Sequence, residues 1–334
     1  MKAMLLKQPG PAEQSPLEST DFPYPVPKPD EIIVRVRACG VCRTDLHIVE
    51  GEIKGRLPVV PGHQIVGVVE KVGDKVRQFQ AGDRVGIPWL HSTCGQCEFC
   101  QGDRENLCID AQFTGFHLNG GYAEAVVARA GYAVKLPPQY GDSEVAPLLC
   151  AGIIGFRALR VSGIQPKQRL GLYGFGASAH IAIQIARRWD CEIWVATRGK
   201  EHQKLAKELG AKWVGKAGEV PSNTLHAAVM FAPAGKLVPE ALRALIKGGT
   251  LSLAGIYMSP IPELDYDLLY HERCIRSVAN ATREDANELM KLAGEFKIRT
   301  EVEIFPLAEA NRALQAMKES KLRGAAVLEM EIES

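Results

Sequence analysis

Arg169-Leu170-Gly171-Leu172-Tyr173-Gly174-Phe175-Gly176-Ala177-Ser178-Ala179 is the stretch on which the fold turns. An apolar run, Arg169–Tyr173, enters a glycine turn, and a helical pattern follows from Ser178 to Arg188. The turn reads G-x-G-x-x-A, a form of the dinucleotide fingerprint, and its strand–turn–helix setting gives it weight. Gly174 makes the tight turn, Gly176 lets a pyrophosphate approach the backbone, and Ala179 packs helix against strand. Ala177 and Ser178 open the helix, whose positive end would face the phosphates. Outward from this point Glu192–Ala196 reads as a strand and Lys200–Leu209 as a helix. Ala227–Phe231, Pro239–Ile246 and Thr250–Ala254 follow in the same alternation. Such a series implies a parallel sheet covered by helices.

The end of the second strand bears on the cofactor. Val195-Ala196-Thr197-Arg198-Gly199-Lys200 has no acid where one would bind a ribose 2′-hydroxyl, and Arg198 and Lys200 could meet a 2′-phosphate. That favours NADP. A solvated strand end, with Thr197 as a neutral ribose contact, would leave NAD instead.

Before about residue 150 the texture differs. Ile32–Val36, Ile65–Val72, Arg84–Ile87 and Tyr122–Val127 are short β-branched runs separated by turn residues, which suggests an irregular barrel or two packed sheets. From about Arg283 there are two more helical patterns and a final strand, Ala325–Met330. Cys94, Cys97, Cys100 and Cys108 stand as C-x2-C-x2-C-x7-C. Four thiolates suit a tetrahedral zinc and leave no position open, the pattern of a structural ion. Two disulfides are the alternative, but nine cysteines in 334 residues make a poor disulfide framework. The N-terminus lacks the apolar core of a signal peptide, and no window long enough to span a membrane is expected, which points to the cytoplasm. A net charge of +1 with both signs interspersed argues against a nucleic-acid surface.

Three further motifs complete the set: Cys39-Gly40-Val41-Cys42-Arg43-Thr44-Asp45-Leu46-His47, Val60-Pro61-Gly62-His63-Gln64-Ile65-Val66-Gly67, and Ala146-Pro147-Leu148-Leu149-Cys150-Ala151-Gly152. With the four-cysteine loop and the glycine turn, they resemble the zinc-dependent medium-chain alcohol dehydrogenases over nearly the whole chain, in that family's order. The resemblance implies an α/β protein: a GroES-like β-rich catalytic domain over 1–153 and 284–334, and a Rossmann doubly wound sheet over 154–283. The active site would lie between them. Cys42, His63 and Cys150 become ligands of a catalytic zinc whose fourth position takes water or alcohol. Asp45 would hold the far nitrogen of His63. Thr44 would take the alcohol proton and pass it by way of the cofactor ribose to His47. Arg43 resembles a pyrophosphate contact, and Ile53, Trp89 and Phe113 fall near the substrate pocket.

Two departures stand out. Gln64 occupies a place where most members have Glu, and Leu322-Arg323-Gly324-Ala325 lacks the usual Gly-Arg before the last strand. The implied activity is reversible oxidation of primary or secondary alcohols with hydride transfer to NAD(P), with two zinc ions per chain. An NADPH-dependent aldehyde reductase or a polyol or formaldehyde dehydrogenase would share this centre. A zinc-less reductase would lack the ligands, and a zinc-ribbon nucleic-acid or scaffold protein would not need the glycine turn. A homo-oligomer, dimer or tetramer, is expected, with the strand around Ile246–Ala254 and its following turn as the subunit contact.

Overall fold

The computed structural model describes residues 1–331, which divide into two compact units: Met1–Cys150 with the segment from Thr282 on, and Ala151–Ala281. Each has its own apolar core.

In the first unit one ten-residue strand, Glu31–Gly40, is the hub. It pairs antiparallel with Gln64–Val72, and register shifts at Ile33/Val34 and Val36/Ala38 bend it. The bend lets two further strands share its other edge. Glu31–Arg35 meets Ala125–Arg129, and Ala38–Gly40 meets the C-terminal strand Ala325–Glu329. The last strand therefore returns to the first unit. Its partner Val302–Pro306 lies beyond it, while Arg84–Ile87 and Val134–Lys135 continue the sheet on the other side. Val34, Ile65, Val85, Ile87 and Leu328 fill the core beneath. The strand expected from Tyr122 begins only at Ala125.

The second unit is a six-stranded sheet, all parallel. Its order is Trp213–Gly215, Glu192–Ala196, Arg169–Tyr173, Leu225–Met230, Leu245–Leu253, Cys274–Ser277. That order reverses direction beside the Arg169–Tyr173 strand, the doubly wound arrangement in which ligands bind at the reversal. The helix Val238–Ala244 stops before Leu245, which already pairs with Leu225, so the strand starts earlier than Thr250. Within Leu245–Leu253, Thr250–Leu253 is paired on both edges, against Ala227–Met230 and Cys274–Ser277. The edge strands are Trp213–Gly215 and Cys274–Ser277, and the turn after Leu253 exposes Ile256 and Tyr257.

One expectation needs correction. Asp142–Ser162 is a helical run of 21 residues, long and apolar enough by composition to cross a bilayer. It is broken by the tighter turn Ala146–Leu149, and 67% of its most apolar window is buried inside the protein, as core helices are.

Candidate active site

Cys42, His63 and Cys150 reach one point from three elements. The antiparallel register sets Gly40 opposite Gln64, so Cys42, just past one strand, lies beside His63, just before the other. Cys150 follows the buried turn Ala146–Leu149, where Leu149 packs on Gly86 of a neighbouring strand. The three donor atoms lie within 4.8 Å of one another. Cys42 Sγ is 3.8 Å from Cys150 Sγ, and His63 Nε2 is 3.4 Å from it. Zinc bonds of about 2.3 Å to sulfur and about 2.0 Å to nitrogen, set tetrahedrally, give edges of about 3.8 and 3.5 Å. The donor set fits that ion.

Asp45 organises the centre from behind. It is fully buried on the helix Arg43–Val49 and accepts four hydrogen bonds. His63 Nδ1 and the Cys42 backbone N–H each donate at 2.9 Å, the Tyr122 hydroxyl at 3.2 Å, and the Gly62 N–H at 3.3 Å. The carboxylate thereby leaves Nε2 of His63 as the atom facing the thiols. Gly62 is required: its φ is +99°, and a Cβ there would come within 2.4 Å of the Tyr122 ring and 2.9 Å of Cys39 Sγ.

Burial opposes a charge on His63, yet the Asp45 carboxylate and the Cys42 sulfur more than offset it and hold its pKa up at about 10. A hydrogen bond from the Cys150 thiol, aided by His63 against the effect of burial, keeps Cys42 well below the ordinary thiol range. Donating that bond, together with burial, pushes Cys150 well above it. Without a metal His63 therefore favours its protonated form, and of the two sulfurs Cys42 gives up its proton more readily while Cys150 keeps it.

Thr44, also buried, sets its hydroxyl 3.7 Å from Cys42 Sγ. His47 lies three residues on along the same helix face and pairs through Nδ1 with Glu52. Trp89 meets His63 edge-on at 4.9 Å and stacks on Phe113 at 5.0 Å and Phe116 at 5.8 Å. His117 closes the group against both phenylalanines, and its Nδ1 accepts from the Phe113 N–H, which leaves the proton on Nε2. Ile53 is half-buried, its N–H bonded to the His47 carbonyl. Gln64 is buried with its amide against Gly40: a Cβ at position 40 would sit 2.8 Å from its Oε1. Arg43 is exposed at the helix start.

The four cysteines form a second donor cluster. Sulfur separations of 3.5 Å (Cys94–Cys108), 3.5 Å (Cys97–Cys100) and 3.8 Å (Cys94–Cys100) match the edges of a zinc tetrathiolate. Backbone N–H groups of Cys94 and Cys97 point at Cys108 and Cys94 sulfurs, neutralising thiolate charge. All nine cysteines are free of disulfides.

In the second unit Gly174 has φ +85°, and a Cβ there would press on the Ala232 backbone N at 2.8 Å. Its N–H bonds the Ala196 carbonyl, bringing the turn beside the end of the next strand. A Cβ on Gly176 would meet nothing within 4 Å, so space is open before the helix Ala177–Arg188. Ala177 is exposed at its start, Ser178 is half-buried, and Ala179 is buried. Thr197 is buried, while Arg198 and Lys200 are exposed.

Tyr122, Glu52, Phe116 and His117 did not emerge from sequence motifs. Phe116 and His117 carried a faint signal in their closeness to Phe113; Tyr122 and Glu52 carried none.

Residues 28–138 match the family model of the alcohol dehydrogenase GroES-like domain, and residues 179–295 that of the zinc-binding dehydrogenases. The chain is 47% identical to a probable alcohol dehydrogenase, AdhA, of Mycobacterium tuberculosis, over 98% of this chain and 97% of that one. It is 36% identical to an alcohol dehydrogenase of Geobacillus stearothermophilus, over 99% and 100%. Among solved structures, AibC superposes with a TM-score of 0.91 at 26% identity, covering 99% and 96%. A cinnamyl alcohol dehydrogenase of Sorghum bicolor shares the fold, with a TM-score of 0.89 at 24% identity over 100% and 99%.

Proposed function

The chain belongs to the zinc-dependent medium-chain alcohol dehydrogenase family, enzymes of reversible hydride transfer between alcohols and a nicotinamide cofactor, and from that premise we propose how its own residues serve the reaction. The observation that carries the reading is the convergence of Cys42, His63 and Cys150 with Asp45 behind them. A bound zinc there would supply Lewis acidity to the alcohol oxygen, and a bound nicotinamide would take the hydride. Asp45 keeps His63 in one tautomer. Thr44 accepts the alcohol proton, and His47 passes it to solvent, its ring steadied by Glu52. Trp89, Phe113 and Ile53 line the substrate side, and their apolar character suits primary or secondary alcohols with a bulky or aromatic substituent. Gln64 keeps hydrogen-bonding capacity without charge.

The remaining assignments belong to the same proposal. Cys94, Cys97, Cys100 and Cys108 hold a second zinc. Arg43, Gly174, Gly176, Ala177, Ser178 and Ala179 cradle the cofactor pyrophosphate, and Arg198 and Lys200, with Thr197, receive the 2′-phosphate of NADP. The exposure of both cations and the lack of an acid from 197 to 200 support NADP over NAD. Metal analysis should return two zinc ions per chain. The protein acts in the cytoplasm as a homo-oligomer, with the strand around Ile246–Ala254 and its following turn, where Ile256 and Tyr257 are exposed, as the contact face.

The test is initial rates on a panel of primary, secondary and aromatic alcohols with NADP and NAD in parallel. Arg198→Ala or Lys200→Ala should raise KM for NADP by about tenfold or more, as loss of a charge-assisted bond does, and leave NAD nearly unchanged. Equal effects on both cofactors would remove the 2′-phosphate assignment.

A further inference from the structure

The four-cysteine loop is also the connection between the two strands that carry the aromatic wall. Leu90–Ser92 pairs antiparallel with Gln112–Phe113, Leu90 opposite Phe113 and Ser92 opposite Gln112. Everything from 93 to 111, all four cysteines included, is the loop that joins them. At the other end of this ribbon the Thr114 N–H bonds the Trp89 carbonyl, and Trp89 stacks on Phe113 at 5.0 Å while touching His63. A two-stranded ribbon so short does not hold itself, and closing a long loop has an entropic cost that a cross-linking ion removes.

The loop is tied down at two more points. Tyr132 Oη receives the Thr93 N–H at 3.0 Å and lies 2.7 Å from Thr93 Oγ1, next to Cys94. Glu105, buried three positions before Cys108, accepts from Arg283 N at 2.9 Å and Nε at 3.2 Å, and the Arg283 guanidinium covers the Tyr132 ring at 5.0 Å. Leu90, Cys108 and Ala111 form one small core with Phe113 and Tyr132 against it. Loop and pocket wall are one packed body.

We propose that this metal site governs substrate choice: a divalent ion on Cys94, Cys97, Cys100 and Cys108 fixes the ribbon that presents Trp89 and Phe113 to the substrate. Tyr132, Glu105 and Arg283 are positioning residues for the loop. Cys42, His63 and Cys150 sit on other elements, so loss of the loop's ion loosens the wall and leaves the chemistry intact. Selectivity for bulky alcohols falls while turnover of a small alcohol persists. The inference rests on the reading of Trp89 and Phe113 as pocket wall.

The test uses the zinc-loaded full chain labelled with 5-fluorotryptophan, whose four tryptophans give four fluorine resonances, with Trp89→Phe assigning its own. Cys97→Ser should bind one zinc instead of two, move or broaden the Trp89 resonance alone, and raise KM for a benzylic alcohol by about tenfold with ethanol's changed less than about twofold. Tyr132→Phe keeps all four thiols and covers the case in which Cys97→Ser does not fold. Its loop zinc should pass to a chelator faster, and the Trp89 resonance should move as it leaves. A loop emptied of zinc with the Trp89 resonance unmoved, or all four resonances moving together, would overturn the proposal. If Trp89→Phe and Trp89→Ala leave KM for the benzylic alcohol unchanged, the pocket reading fails separately, whatever the fluorine spectrum of the loop variants.

Discussion

Replacing Asp45 by Asn tests the centre most directly. Asp45 is fully buried, and all four of its partners donate to it. An amide matches the shape but brings its own donor. If the NH2 takes the Oδ1 position it faces the His63 and Gly62 N–H groups. If it takes the Oδ2 position it faces the Cys42 N–H and the Tyr122 hydroxyl, and only the hydroxyl can turn to accept. The second placement is the milder, and it still loses the backbone bond that starts the helix Arg43–Val49, besides the charge that supports His63. Bonds to a charged group contribute about 1.5–3 kcal/mol each, and uncoupling a buried charged pair costs about 3–5 kcal/mol. A loss of about 3 kcal/mol in the metal-free protein is therefore expected. Zinc affinity at the three-ligand centre should fall about 10–100-fold, as it does when the partner of a ligating histidine is removed. Urea unfolding of the metal-free protein and competition for zinc against a chelator read the two effects separately. Unchanged zinc retention together with an unchanged unfolding midpoint would refute the argument.

Two other outcomes follow from the same geometry. Zinc binding at this centre should release protons at neutral pH, from His63 Nε2 and from the Cys150 thiol, measurable by calorimetry in buffers of different ionisation enthalpy. Because the folded pKa of His63, about 10, lies above its unfolded value, its contribution to the metal-free protein is complete below about pH 6.5 and is lost as pH rises through about 10. The loaded centre has no such proton, so only the metal-free urea midpoint should carry that loss. A Gly62→Ala variant must fit a methyl 2.4 Å from the Tyr122 ring at φ +99° and should lose about 2 kcal/mol or more, with reduced zinc content. A variant as stable as the parent would show that Tyr122 can withdraw from Asp45 freely.

Sequence alone determined the features whose partners lie within a few residues. The four cysteines between 94 and 108, the glycine turn at 174–179 and the alternation of strands and helices after it are legible because chain stiffness and short spacing leave few conformations to consider. The three motifs holding Cys42, His63 and Cys150 were legible only as a resemblance. Nothing in their spacing says that they meet. Tertiary structure decided that through the register that sets Gly40 opposite Gln64, and through a buried turn that delivers Cys150. It also decided the stacking of Trp89 on Phe113, the place of Tyr122 behind Asp45, and the bond from Arg283 to Glu105 across 178 positions. Such contacts depend on sheet register and on the packing of distant segments against one another. A one-residue slip in register would turn every side chain of a strand to the other face with no change in composition or pattern, so the pattern cannot record which partners it will have.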